Sequence, residues 1–311
     1  MMAEWGALST EASNPSSEGL DTLSSEEVVS LLLEEDQRGL EAAGHSREGI
    51  ARAASWVAEI LEAGGTVLFA GAGTSGRLGI LEAAECPPTF GTDPEQIRAV
   101  IAGGPEAVFE AREGAEDIAE DGAAAVEGLG TGDLLIAVSA SSATPFVLGA
   151  LASARSGGAR TILVTCTPPD GISAVADLVL ALDTGPEVLT GSTRLKAASA
   201  TKAVLNAITT AAMVRLGKVY GNLMVDLRPG SEKLRDRALR IVEAAGAVSR
   251  EEAERLYDTA DGEVKTAIVM ALCELEVEPS RKQLRAAGGH VRKALKDYSA
   301  AEKGGSNRSD R

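Results

Sequence analysis

Five short apolar runs in the middle of the chain constrain its fold more than any other feature. They are "TVLFAGAG" (66–73), "IRAVIAGG" (97–104), "DLLIAVSASS" (133–142), "ARTILVTCTP" (159–168) and "ADLVLALDTG" (176–185). Each has strand length, and helical sequence separates most of them. That alternation predicts an α/β fold, a five-stranded and mostly parallel sheet with helices on both faces. Ligands in such folds sit at the carboxyl ends of the strands.

The flanking sequence reads differently. Residues 1–22 are rich in Ser, Glu and Gly, which predicts an extended segment. "LSSEEVVSLLLEEDQRGLEAA" predicts a helix capped by Ser24 or Ser25, and a second helix covers 47–63. Helical sequence follows the second strand to about 127, and another helix covers 144–156. "STRLKAASATKAVLNAITTAAMVRLGKVYG" (192–221) predicts one long amphipathic helix. From 230 to 299 only helical patterns occur, broken at Gly246, Gly262 and Gly288–Gly289, and "EKGGSNRSDR" reads as a disordered tail. The expected organisation is an N-terminal extension with helices (1–57), a sheet domain (58–225), a small helical domain (226–299) and a tail (300–311).

Glycines punctuate the end of the first strand. Gly71, Gly73 and Gly76 satisfy G-x-G-x-x-G, a spacing shared by dinucleotide sites and phosphate loops. A nicotinamide site also wants an acidic residue at the tip of the second strand. That strand ends "VIAGG", and the nearest acids, Asp93 and Glu95, precede it. Hydroxyls fit better. Thr74 and Ser75 follow the first strand, and Ser139, Ser141, Ser142 and Thr144 follow the third. Hydroxyls with backbone N–H groups at helix N-termini bind phosphate using little formal charge, although capping alone explains many such residues. Local donors matter here because thirty basic against forty-six acidic residues give a net charge of −16. That balance argues against nucleic acid or an anionic membrane as partner.

Two carboxylates stand near these loops. Glu85 precedes Cys86–Pro87–Pro88, where the prolines are expected to end a helix and hold the side chain at its junction with a loop. Glu116, in "EGAED", follows the second strand and can reach the same side of the sheet. Such a pair can divide acid and base roles. His45 and His290 lie outside the core strands, and no Ser-His-Asp order, HExxH or CxxC occurs. Cys86, Cys166 and Cys273 are odd in number and widely spaced, as expected of reduced thiols in a cytoplasmic protein. No signal peptide or membrane-span pattern is expected from the N-terminus or elsewhere.

Several stretches together resemble one family along nearly the whole chain. "TEASNP", "EEDQ", "GAGTSGRLGILEAAECPPTFG", "IAGG", "EGAED", "GPEVLTGSTRLKA", "GKVYGNLMVD" and "VKTAIVM" are similar to motifs of the N-acetylmuramic acid 6-phosphate etherases, within the sugar isomerase (SIS) family. The resemblance implies release of D-lactate from C3 of the phosphorylated sugar, by elimination and then hydration. It implies Glu85 as proton donor and Glu116 as the second acid/base. Gly73, Thr74, Ser75, Ser139, Ser141, Ser142 and Thr144 are expected around the substrate, with Arg77, Arg194 and Lys196 as candidate anion partners. It further implies no nucleotide or metal cofactor, a homodimer with sites completed near the subunit interface, and a ubiquitin-associated-like C-terminal domain.

The chain departs from that pattern in two places. Ser141-Ser142-Ala143-Thr144-Pro145 stands where the family usually has Ser-Gly-Arg-Thr-Pro, so an Arg able to grip an anion in two places is absent. After "TGSTRLKA", Ala198-Ser199-Ala200-Thr201 replaces the usual Gly-Thr-Ala-Gln. Two other readings use the same residues, a non-catalytic sugar-phosphate sensor and an aldose–ketose isomerase. Both predict phosphate binding, and only lactate release separates them from the etherase.

Overall fold

In the computed structural model, which describes residues 9–168, 175–227 and 229–306, the five runs form a single parallel sheet. Its strands are β1 (Val67–Gly71), β2 (Ile97–Ile101), β3 (Leu134–Val138), β4 (Arg160–Thr165) and β5 (Leu178–Ala181), in the order β2-β1-β3-β4-β5. Every residue of β1 and β3 is buried, as their unbroken apolar runs predict for central strands, whereas edge strand β2 exposes Arg98. Gly71 pairs with Ile101 on one side and Val138 on the other, so three strands end at one level. The chain turns from β1 outward to β2, then returns to place β3 on β1's other side. The loops after β1 and β3 therefore flank a crevice where the strand order reverses.

Helices cover both faces. They are α1 (Ser25–His45), α2 (Arg47–Glu62), α3 (Gly73–Phe90), α4 (Ala119–Ala125), α5 (Pro145–Ser156) and α6 (Lys196–Arg215). Ser24, not Ser25, caps α1: its Oγ accepts from Glu27 N, and the Glu27 carboxylate accepts from Ser24 N at 2.8 Å. On one face of the sheet Phe146, Val147 and Leu151 of α5 pack with Leu68, Leu135 and Leu163. Each such buried side chain contributes about 1.5–3 kcal/mol.

The chain divides into two units, Met1–Ala84 with Pro94–Ala212, and Glu85–Asp93 with Met213–Arg311. The second holds a hairpin, β6 (Val219–Tyr220) and β7 (Leu223–Met224), and helices α7 (Glu232–Gly246), α8 (Arg250–Thr259), α9 (Val264–Cys273), α10 (Val277–Ala286) and α11 (Val291–Ser306). Ile268 and Val269 of α9 are fully enclosed at the centre of its core.

Four local expectations are corrected. Residues 9–22 are not extended but form 3-10 turns at Ser9–Glu11, Pro15–Ser17 and Leu20–Thr22, the second capped by Asn14; 1–8 lie outside the described residues. Continuous helix after β2 gives way to short turns at Pro105–Val108 and Ala115–Asp117, because Gly104 and Gly114 take left-handed φ of 76° and 74°. The 192–221 helix stops at Arg215, and Gly221–Asn222 turns the chain back into the β6–β7 hairpin. Helix α3 passes through Pro87 and Pro88 to Phe90 instead of ending before them. Proline's fixed φ is close to that of a helix, so these two residues forfeit their N–H bonds without forcing the chain out of helical geometry. As for the expected tail, α11 runs on to Ser306, and 307–311 lie outside the described residues.

Candidate functional site

The loop after β1 is shaped by close backbone packing. A Cβ on Gly71 would lie 2.7 Å from Gly76 N, and one on Gly76 would lie 2.7 Å from Gly71 O and 2.5 Å from Ile101 Cγ1. No side chain fits at either position. Between them Gly73 turns the chain at φ 51° into the first turn of α3. The unpaired N–H groups of that turn, with Thr74 and Ser75, consequently point their positive end at the crevice.

The loop after β3 is held by side chains. Buried Ser139 places its Oγ 2.8 Å from Oγ1 of Thr144, the residue preceding Pro145 at the start of α5. Ser141 Oγ accepts from Ala143 N at 3.3 Å. Ser142 takes a left-handed φ of 60°, donates to Ser141 O and accepts from Thr167 Oγ1 at 3.3 Å.

Between these loops lies a cavity of about 300 Å³. Gly73, Thr74, Ser75, Ser141 and Thr144, all expected at the substrate, line it, while Ser139 and Ser142 stand behind the lining and support it. Glu116 and Asp117 enter from the turn Ala115–Asp117. Thr10 and Glu11 of the N-terminal segment also belong to the wall, as do Gly191 and Thr193. Sequence reasoning missed that contribution. The Asn-Pro of "TEASNP" was the available signal, since it marks a turn rather than an extended tail.

The three cations expected at the anion do not line this cavity. Arg77 donates to three carbonyls, Nε to Val108 O at 2.8 Å and Nη2 to Ala107 O at 2.8 Å and Glu110 O at 3.4 Å. It thereby pins the segment that leads to Glu116. Lys196 is buried, and its ammonium is paired with the Glu35 carboxylate. A buried lysine keeps its charge at low cost only beside such a partner. Burial alone would raise the Glu35 carboxyl, but Lys196, Asn14 and Arg38 hold it below its ordinary value. Glu187 accepts from Ala197 N (2.9 Å) and Lys196 N (3.2 Å) at the start of α6, and burial raises its carboxyl despite them. Arg194 is exposed.

Glu85 is exposed and lies in the later part of α3. It is not part of the cavity wall. Among the thiols, burial pushes Cys166 up to about 11, which leaves it an inert core group. Among the described residues, no group of three or more His, Cys, Asp or Glu side chains is placed to hold a metal ion.

The cavity wall thus offers hydroxyls and two helix N-termini, suited to a phosphate ester, together with carboxylates able to take or give a proton.

Residues 49–155 match a family model described as the glucokinase regulatory protein N-terminal SIS domain. A curated protein of Salinibacter ruber is 47% identical over 93% of this chain and 94% of its own length. One of Rubrobacter xylanophilus is 49% identical over 93% of this chain and 96% of its own. Both are named N-acetylmuramic acid 6-phosphate etherase. Among solved structures, an E. coli CFT073 protein with a ligand bound is 18% identical, with a TM-score of 0.45 over 64% of this chain and 97% of that one.

Proposed function

Because this chain belongs to the N-acetylmuramic acid 6-phosphate etherase family, we propose that it is a carbon–oxygen lyase releasing D-lactate from N-acetylmuramic acid 6-phosphate in amino-sugar recycling. The other product is N-acetylglucosamine 6-phosphate. The observation that carries this reading is the meeting of Glu116 with both hydroxyl-bearing loops in one cavity.

In this reading the phosphate rests on the N-termini of α3 and α5 and on the hydroxyls of Thr74, Ser75, Ser141 and Thr144. Ser139 and Ser142 hold the second loop in shape. In the open sugar the C2 proton lies beside the C1 aldehyde, so a carboxylate can remove it. Glu116 takes it, the C2 electron pair forms a double bond to C3, and the C3–O bond to lactate breaks. The departing alkoxide needs a proton, which Glu85 supplies, and water then adds at C3. Such acid–base steps are each worth roughly 100- to 10,000-fold. Arg77 is a positioning residue, acting through the segment that carries Glu116. Arg194 and Lys196 are left outside the substrate contacts.

Glu85 acts in the cavity of a second copy, in a homodimer. Two features support this. Glu85 is exposed, and α1 presents Val29, Leu33 and Leu40, 54%, 65% and 46% exposed, at helical spacing for apolar contact. A cytoplasmic location agrees with three buried cysteines that form no disulfide among the described residues, and with the absence, among the described residues, of a helix long and apolar enough to cross a membrane.

The test is D-lactate release from N-acetylmuramic acid 6-phosphate in water enriched in oxygen-18. Label at the sugar C3 hydroxyl is expected; label in lactate would rule out elimination. No release by folded protein that binds the sugar phosphate would favour a sensor or an isomerase. Glu85→Gln and Glu116→Gln should each lose at least about 100-fold in kcat. Mixing the two variants under subunit exchange should restore about a quarter of wild-type activity, from hetero-dimers with one intact site. No restoration would remove the shared site.

A further inference from the structure

The N-terminal segment brings polar groups to the cavity that none of the roles above uses. Thr10 is 1% exposed, lines the cavity, and its Oγ1 has no hydrogen-bond partner among the described residues. A buried hydroxyl left unpaired is costly, and native proteins rarely retain one without a use. Beside it, Glu11 lies over Gly191, where an added Cβ would come within 3.0 Å of Glu11 Oε2. Glycine at 191, with its left-handed φ of 76°, leaves room for that carboxylate.

The segment is anchored, not draped. Three residues beyond Glu11, buried Asn14 donates from Nδ2 to Glu35 Oε2 at 2.9 Å and to Pro186 O at 3.1 Å. Its Oδ1 accepts from Ser16 N at 2.9 Å. Glu35 is in turn the partner of buried Lys196. The stretches "TEASNP", "EEDQ" and "GPEVLTGSTRLKA", far apart in sequence, converge on this one network.

We propose that Thr10 and Glu11 are substrate-contacting residues, recognising the sugar at the end away from its phosphate. Phosphate repels a carboxylate, so Glu11 belongs with the sugar's donors, accepting from a hydroxyl or from the acetamido N–H. Thr10 supplies the unpaired hydroxyl to a neighbouring polar atom of the same ring. The inference rests on the etherase reading for the substrate's identity.

The experiment uses the full chain with Glu11→Gln and Thr10→Val. KM and kcat for lactate release are measured together with inhibition by inorganic phosphate and the unfolding temperature. Glu11→Gln is expected to raise KM about tenfold or more, the effect of losing a hydrogen bond to a charged group. Inhibition by phosphate and the unfolding temperature should be unchanged. Thr10→Val should raise KM severalfold in the same manner. Values within twofold of wild type overturn the proposal. So does a joint weakening of substrate and phosphate, or a lower unfolding temperature, which would mark the segment as structural only. Should the wild type itself release no lactate, the etherase reading fails instead. Calorimetric binding of N-acetylglucosamine 6-phosphate then decides, weaker binding by Glu11→Gln supporting the contact and equal binding overturning it.

Discussion

The loop after β1 reaches left-handed backbone at Gly73, whereas the loop after β3 does so at Ser142. Both join a buried central strand to a helix N-terminus at one cavity. The first is held by what it lacks: strand and helix approach so closely at Gly71 and Gly76 that no Cβ fits. The second is held by what it carries, hydroxyl bonds among Ser139, Ser141, Ser142, Thr144 and Thr167. A non-glycine residue at φ 60° costs about 1–2 kcal/mol, and the two Ser142 hydrogen bonds offset part of that. The first loop therefore admits no side chain at Gly71 or Gly76, whereas the second is open to exchange.

The sharpest way to break the contrast is Gly76→Ala. Its Cβ would press on Gly71 O and Ile101, so a loss of about 3 kcal/mol and of most activity is expected. Denaturant unfolding checks it, and wild-type stability would mean that the loop relaxes freely. Next in size is the double change Ser142→Gly with Ala143→Arg, which supplies an anion-gripping Arg. KM is expected to fall about tenfold, and an unchanged or higher KM would mean that this loop does not meet the anion. Thr144→Val removes the partner of Ser139 and a hydroxyl from the cavity. It should cost about 1 kcal/mol of stability and raise KM severalfold, as thermal melts and kinetics would show. Smallest is Ser142→Gly alone, expected to raise stability by up to about 1 kcal/mol with kcat unchanged. A loss of stability would show that the Thr167 and Ser141 bonds outweigh the backbone strain.

The same contrast separates what was legible from what was not. Val67–Gly71 and Leu134–Val138 could be read as central strands because unbroken apolar runs and their turn residues are neighbours in sequence. The glycine spacing was legible too, although its cause, strand against helix at Gly71 and Gly76, was not. Arg77 and Lys196 looked like anion ligands, since a cation near a phosphate loop is unassigned until its partners are known. Their partners are the carbonyls of Ala107 and Val108 and the Glu35 carboxylate, 161 residues from Lys196. Pro87–Pro88 misled in the opposite direction, because proline's φ is compatible with a helix and the lost N–H bonds do not by themselves end α3.

By itself, the sequence determined the sheet, the two hydroxyl-bearing loops and the family, all of which rest on short-range pattern or on aligned residues. Tertiary structure decided which polar groups remain available to a ligand. It committed Arg77 and Lys196 to protein partners, left Thr10 Oγ1 without a partner among the described residues, and turned an apparently idle N-terminal segment into part of the cavity wall. The reason is physical. A side chain's type is written locally, but its freedom to bind depends on every donor, acceptor and charge that folding brings within about 3 Å of it.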